Sequence, residues 1–119
     1  MSAIALLLVV LVALLHLYFL VLEMFLWTKP LGLKVFRQTP EKAEASRVLA
    51  ANQGLYNGFL AAGLVYGAAT GSREFVLFFL ACVVVAGAYG AWSVNKRIFF
   101  VQALPALLAI VAVALGGSG

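Results

Sequence analysis

The 119-residue sequence has little charge, one cysteine and one histidine. Charged residues make up 10% of the chain and hydrophobic residues 66%, whereas a soluble domain is nearer a quarter charged and half apolar. This composition excludes a soluble enzyme and a disordered tail. The lone Cys82 cannot form an intramolecular disulfide, which excludes a secreted disulfide scaffold, and in an apolar run it is typical of a small buried hydrophobe.

Metal and nucleic-acid sites are also poorly supported. A single His16 excludes a bis-histidine haem site within one chain, and no Cys/His cluster has zinc-site spacing. We therefore expect no metal and no cofactor. The net charge of +4 comes from eight Lys and Arg residues that lie between or at the ends of apolar runs. They are too few, and lack the aromatic context, for a nucleic-acid surface.

Four apolar runs fill most of the chain, and each can cross a bilayer, which takes roughly 20 residues. We expect an all-α integral membrane protein, a single transmembrane domain over residues 1–119 built as a four-helix bundle. The predicted helices are about 3–27, 40–69, 74–94 and 98–115. The first run lacks a basic n-region, so we expect a retained helix and not a cleaved signal peptide. The final Gly-Gly-Ser-Gly is expected to be either a frayed tail or a non-native addition.

The positive charges predict the topology. Five cations lie in the first connection and two in the third, whereas the second connection carries only Arg73. Because positive loops stay in the cytoplasm, the first and third connections are predicted to be cytoplasmic and both termini to face the outer, periplasmic side. The predicted location is the bacterial inner (plasma) membrane, with the lipid bilayer as the main partner.

Local signals mark several helix ends. Thr39-Pro40-Glu41 is typical of an N-cap followed by proline at the first helical position and an acid in the first turn. Ser72 is a candidate cap for the third helix. Segment 31–37 alternates apolar and basic residues and is expected in the headgroup region. Pro105 is expected to bend the last helix, because proline removes a backbone hydrogen bond.

Glycine and alanine recur at four-residue spacing in the second and third helices, which allows helix backbones to approach closely. The pairs are Gly54 with Gly58, Gly63 with Gly67, Ala86 with Gly90, and Gly87 with Ala91. This spacing favours packing within the bundle, and a homodimer through the Gly/Ala stripes is the alternative.

Polar residues inside the predicted helices are the strongest functional signal, because such groups are costly at membrane depth. His16 and Glu23 lie seven residues apart and share one face of the first helix, which Trp27 continues. Glu23 lies roughly 6 Å from the cytoplasmic end and His16 near the midplane. An ionised carboxylate there requires a cation or water, or else it stays protonated. We predict His16 and Glu23 as a hypothetical acid-base pair.

The other three helices also place polar residues in the cytoplasmic half. These predicted ligand-binding residues are Asn52, Gln53, Tyr56, Asn57, Tyr89, Ser93 and Gln102, together with Trp27. The layer predicts a polar pocket open to the cytoplasm. The alternative is structural, because amides and hydroxyls hydrogen-bond between membrane helices.

Three strings resemble a known family. They are Glu23-Met24-Phe25-Leu26-Trp27, the segment from Ala51 through Asn52-Gln53-Gly54-Leu55-Tyr56-Asn57-Gly58 to Gly63, and Gln102-Ala103-Leu104-Pro105-Ala106. The chain is similar over nearly its whole length to small bacterial four-helix membrane proteins, the domain of unknown function 1304 family. The resemblance implies the fold and an inner-membrane location but no activity.

Three functions fit these residues. The leading hypothesis is binding of an amphiphilic or lipid-soluble small molecule, with acid-base chemistry on it if the protein is an enzyme. A second is a small proton-coupled transporter like those of the small multidrug-resistance family. The seven-to-one charge bias argues against the dual topology used there. A third is an assembly or interaction subunit of a membrane complex.

Overall fold

The computed structural model describes residues 1–116, which form helices joined by short turns, with no β-strand among them. The predicted all-α class is confirmed over these residues, and the end of the predicted tail, residues 117–119, lies outside them. The helices are α1 (Ala3–Met24), α2 (Pro30–Phe36), α3 (Pro40–Ala45), α4 (Arg47–Thr70), α5 (Arg73–Ser93) and α6 (Leu104–Leu115), with a π-helical turn at Phe99–Ala103 before α6.

Helices α1 and α5 are long and apolar enough to cross a membrane, by criteria of length and composition that a core helix of a soluble protein also meets. Helix α4 has 24 residues, but its first half carries several polar side chains. The last apolar helical stretch, Phe99–Leu115, is shorter. Four membrane spans, a single transmembrane domain and the orientation of the termini stay predictions.

The residues pack in two compact units. The first unit comprises Met1–Leu14 and the described part of Leu60–Gly119, and the second comprises Leu15–Phe59. In the first unit, buried positions recur three or four residues apart, so each helix contributes one stripe to the core. The stripes are Ala5, Val9 and Val12 in α1; Ala61 and Leu64 in α4; Val76, Leu80 and Val83 in α5; and Ala106, Ala109 and Val113 in α6.

A tight turn joins α4 to α5 in the first unit. Gly71 adopts φ +68°, a left-handed conformation that glycine tolerates without strain, and the Ser72 N–H donates to the Gly67 carbonyl. The Ser72 hydroxyl accepts from the Phe75 N–H at 3.2 Å, so the predicted cap is confirmed. This turn places α4 and α5 side by side.

A π-helical turn, Phe99–Ala103, ends two residues before Pro105, and the bend expected at this proline stays a prediction. Proline has no N–H for the carbonyl four residues earlier, so the regular α-helical pattern cannot run through this point. Gly87 of α5 faces the turn, and a Cβ on it would lie 2.7 Å from the Ala103 nitrogen.

The second unit contains two short helices between α1 and α4. Thr39 caps α3 as predicted, since its hydroxyl accepts from the Lys42 N–H at 3.2 Å and Pro40 takes the first helical position. The helix predicted to continue from there is interrupted at Ser46, where the backbone leaves the α conformation, so α3 and α4 are separate helices. Helix α2 ends at Phe36, and the residue after it, Arg37, has φ +53°.

Candidate functional site

Glu23 and Asn57 meet within the second unit. The Asn57 amide nitrogen Nδ2 donates to Glu23 Oε1, at 2.5 Å. Glu23 is next to last in α1, and Asn57 lies in the first half of α4 with only 4% of its surface exposed. Both residues belong to the predicted polar layer, and the structure brings these two together.

Gly54 and Gly58 allow α4 to approach α1 at this point. A Cβ on Gly54 would lie 2.6 Å from Met24 Cγ and 3.1 Å from Glu23 Cβ, and one on Gly58 would lie 2.7 Å from Leu20 Cδ1. The first of the predicted small-residue pairs is therefore used for packing inside this chain. A homodimer through the Gly/Ala stripes stays a prediction.

The Glu23 carboxylate is hydrogen-bonded but not charge-paired. Within residues 1–116 no Lys, Arg or His nitrogen lies within 4.0 Å of it, and the ion pair found there joins Arg47 to Glu44 at the surface. Asn57 is a neutral donor. Glu23 also lies at the carboxyl end of α1, where the helix dipole disfavours negative charge. A proton, water or a ligand cation must therefore compensate this group.

Trp27 lies in the turn after α1 and is held in place by a hydrogen bond. Its indole Nε1 donates to Ser46 Oγ at 3.2 Å, and the Ser46 hydroxyl donates to the Lys42 carbonyl at 2.8 Å. The Trp27 ring also packs on Phe36, with ring centroids 4.8 Å apart. The indole is thus fixed against the interruption between α3 and α4.

His16 is completely buried, with its ring packed edge-on against Phe19 at a centroid distance of 5.5 Å. The seven residues between His16 and Glu23 correspond to about 10 Å along the axis of α1. A molecule that contacts both side chains must therefore extend over roughly that length. Their role as an acid-base pair stays a prediction.

Three of the predicted ligand-binding residues of α4 are exposed: Asn52, Gln53 and Tyr56. The Asn52 amide donates to the Val48 carbonyl of its own helix at 3.1 Å. The Tyr56 ring packs on Phe59, at a centroid distance of 6.1 Å. Asn57 thus differs from these neighbours in being buried.

Three predicted site residues belong to the first unit. Tyr89 and Ser93 are exposed on α5, and the Ser93 hydroxyl donates to the Tyr89 carbonyl at 2.7 Å. Gln102 is half-buried within the π-helical turn. Their part in ligand binding stays a prediction.

Two open surface depressions lie in the first unit and are almost wholly apolar. One, of about 580 Å³, runs along α5 and is lined by residues that include Phe78, Cys82 and Tyr89. The other, of about 500 Å³, includes Ile4 and Leu108. Neither contains Glu23 or Asn57. In the described part of the chain, no three His, Cys, Asp or Glu side chains are grouped so that they could hold a metal ion.

Sequence reasoning missed two residues with defined contacts. Ser46 holds the Trp27 indole, and its position directly before Arg47, in the middle of a predicted helix, gave no sign of a chain interruption. Arg73 was interpreted only as a topology charge. Its guanidinium donates to the Val113 and Ala114 carbonyls of α6, at 3.3 and 3.2 Å. The sequence gives no signal for this contact, because the helix end lies 40 residues further along the chain.

Comparison with known proteins agrees with the resemblance. The sequence matches the family described as "Protein of unknown function (DUF1304)" over residues 10–114. The chain belongs to this family. The DUF1304 chain is also 33% identical to "Uncharacterized protein YpaA" of Lactococcus lactis subsp. lactis (strain IL1403), over 94% of this chain and 98% of the relative. No solved structure matches it. The family assigns no activity, so a function must be inferred from the residues themselves.

Proposed function

We propose that this DUF1304 protein is a multi-pass protein of the bacterial inner membrane that binds an amphiphilic or lipid-soluble small molecule beside Glu23 and Asn57. The proposed topology has four spans, both termini outside, and the site reached from the cytoplasmic side. The observation that carries the proposal is the Glu23 carboxylate, which accepts a hydrogen bond from Asn57 and has no cation within 4.0 Å in residues 1–116.

Exposed apolar side chains support the membrane part of the proposal. Leu7 and Leu14 of α1, Phe78 and Val85 of α5, and Leu108 of α6 are each more than half exposed. Many other large apolar side chains are exposed as well, and in water such side chains gain free energy when they are covered. The hydrocarbon chains of lipids would cover these side chains and so remove the cost of exposing apolar surface to water.

The charges support the proposed orientation. Seven of the eight cations belong to the first and third connections, which the positive-inside rule places in the cytoplasm. The exception, Arg73, donates to carbonyls at the end of α6. Its structural use explains why a cation is retained in a connection proposed to face outward.

Glu23 and Trp27 suit a site for an amphiphile. The carboxylate can bind a polar head group, and the apolar residues around it suit a hydrocarbon chain. If the ligand is also converted, proton transfer by Glu23, with His16 about 10 Å further along α1, is the reaction these side chains can support.

Native mass spectrometry of the protein purified from bacterial membranes tests the binding. We expect a small-molecule adduct on the wild type that is lost in Glu23→Gln. Glu44→Gln is the matched control, because Glu44 is an exposed acid paired with Arg47. Identical adducts on all three proteins would contradict the proposal.

Cysteine labelling in intact cells tests the orientation. In a Cys82→Ser background, a membrane-impermeant maleimide should label Ser2→Cys at the amino terminus and leave Ser93→Cys unlabelled until the cells are permeabilised. Both positions are exposed. Labelling of Ser93→Cys in intact cells would contradict the proposed topology.

A further inference from the structure

The Glu23–Asn57 pair leaves two acceptor oxygens without a protein donor. Glu23 Oε1 accepts from Asn57 Nδ2, and no other hydrogen bond or ion pair of either side chain is found in residues 1–116. Glu23 Oε2 and Asn57 Oδ1 therefore have unused acceptor capacity. A ligand that supplies hydrogen-bond donors would satisfy both side chains.

The two oxygens are not sealed inside the protein. Within the described residues, the one enclosed side-chain oxygen or nitrogen without a hydrogen-bond partner is Gln38 Oε1. Glu23 Oε2 and Asn57 Oδ1 thus retain accessible surface.

The local electrostatics favour a positively charged donor. The carboxylate lies at the negative end of the α1 dipole, its protein partner is a neutral amide, and no cation of residues 1–116 is within 4.0 Å. In a medium of low dielectric constant, a nearby cation compensates a carboxylate far better than a neutral donor does.

Two apolar side chains of α1, Leu20 and Met24, lie where α4 approaches the pair. Leu20 and Met24 pack beside Gly54 and Gly58, and Phe25, the next residue after α1, is 65% exposed. A cationic ligand must therefore also carry a hydrocarbon part to fit both the carboxylate and its neighbours.

From these four observations we infer that the ligand of the Glu23–Asn57 site is an amphiphilic amine, bound through its ammonium head group. The inference rests on the proposed function and specifies the ligand class. The ammonium donates to Glu23 Oε2 and Asn57 Oδ1, and the hydrocarbon chain lies along the apolar surface. Two sources supply this chemistry: a free long-chain amine, and a lipid with an ethanolamine head group.

Carbodiimide coupling tests the inference on the wild-type chain. The full chain is reconstituted in phosphatidylcholine vesicles with dodecylamine and dicyclohexylcarbodiimide. The carboxyl group adds to the carbodiimide to give an O-acylisourea. The amine nitrogen, in its deprotonated form, then attacks the acyl carbon to form an amide, and the carbodiimide leaves with the carboxyl oxygen as dicyclohexylurea. Peptide mass spectrometry then locates the dodecylamide. We expect it on Glu23 at about tenfold or more above Glu41 and Glu74, since one charge-assisted hydrogen bond changes occupancy by roughly that factor.

Exposed Glu41 and Glu74 are controls within the same molecule. Protonated N,N-dimethyldodecylamine, a cation that keeps one N–H donor but cannot form a stable amide, should compete at Glu23, and dodecanol should not. Equal amide yields on Glu23, Glu41 and Glu74, or equal competition by dodecanol, would overturn the inference.

Further measurements distinguish a free amine from a lipid head group, and a failure of this inference from a failure of the proposed function. In phosphatidylethanolamine vesicles, a lipid amide on Glu23 identifies the head group as the ligand, and a persisting dodecylamide identifies a free amine. Either result supports the inference. If dodecanol protects Glu23 as well as the cation does, the ammonium assignment fails and the proposed function stands. If no amphiphile protects Glu23, both fail.

Discussion

The Glu23 carboxylate depends on one neutral donor, the Asn57 amide, within the described residues. Asn57 is buried at 4% exposure, whereas Asn52, five residues earlier, is exposed and bonds to its own helix. We therefore expect the two asparagines to contribute differently to the free energy of unfolding, although the sequence alone predicts the same role for both.

Asn57→Leu removes the donor and leaves the carboxylate without a protein partner. We expect the free energy of unfolding to fall by about 1–3 kcal/mol, the cost of an unsatisfied polar group. Denaturant titration in detergent micelles, followed by circular dichroism, measures it. Asn52→Leu is the control and should change stability by about 0.5 kcal/mol or less. A similar loss in both variants would show that the Glu23–Asn57 bond contributes little.

Glu23 itself could be predicted from sequence, because an acid within an apolar run needs a special environment. Its partner could not be chosen among Asn52, Gln53, Tyr56 and Asn57. Their spacing places them on one broad arc of a helix, and which part of the arc is buried depends on where α1 packs. That information lies in tertiary contacts.

Packing of whole helices depends on the glycines of α4. Gly54 and Gly58 both face α1, but an added methyl group would contact different atoms at the two positions. At Gly54 the neighbours are Met24 Cγ at 2.6 Å, Glu23 Cβ at 3.1 Å and the Leu20 carbonyl oxygen at 3.2 Å. At Gly58 the neighbour is the end of the Leu20 side chain, at 2.7 Å. Backbone cannot move aside, whereas a flexible side chain can change rotamer.

Gly54→Ala should therefore destabilise the protein by about 1–3 kcal/mol, the usual cost of overpacking. Gly58→Ala should cost clearly less, and it serves as the control because both substitutions add the same methyl group to the same helix. The same denaturant titration compares them. Equal losses would mean that α1 and α4 are not held by close packing at Gly54.

Arg73 stabilises the end of α6 through two carbonyls. Arg73→Gln removes the charge and the guanidinium fork, and we expect a loss of about 0.5–1 kcal/mol together with fraying of the last turn. Hydrogen exchange should become faster in residues 111–115 and stay unchanged in α5. Unchanged exchange at the end of α6 would contradict this role.

At the scale of the whole molecule, the all-α class could be predicted because composition and apolar run length are properties of long segments. The interruption at Ser46 could not be, since Lys42 to Ala50 carries no proline or glycine to mark a break. The bend expected at Pro105 stays a prediction, and the π-helical turn before it could not be predicted, because proline specifies only which hydrogen bond is lost.

Replacing all five cations of the first connection by Gln leaves two cations, Lys96 and Arg97, in the cytoplasmic connections and one, Arg73, in the outer connection. Because the charge difference orients helices during insertion, we expect a mixed orientation. In whole cells, maleimide labelling of Ser93→Cys should rise from near zero to a substantial fraction. Replacing the exposed acids Glu41 and Glu44 by Gln is the control and should leave the orientation unchanged, since acids contribute little to the rule.

The π-helical turn at Phe99–Ala103 changes the helical register of the last helix, so that residues before and after the turn do not follow one continuous α-helical pattern. A π-helical turn holds one more residue than the α-helical turn it replaces, which rotates everything after it by about 100° relative to everything before. A helical wheel drawn through residues 97–115 as one helix would therefore assign Ile98 and Ala109 to the wrong relative faces. It also follows that this turn is where the helix can lose one residue and close into a regular α-helix, so length variation among relatives should concentrate there.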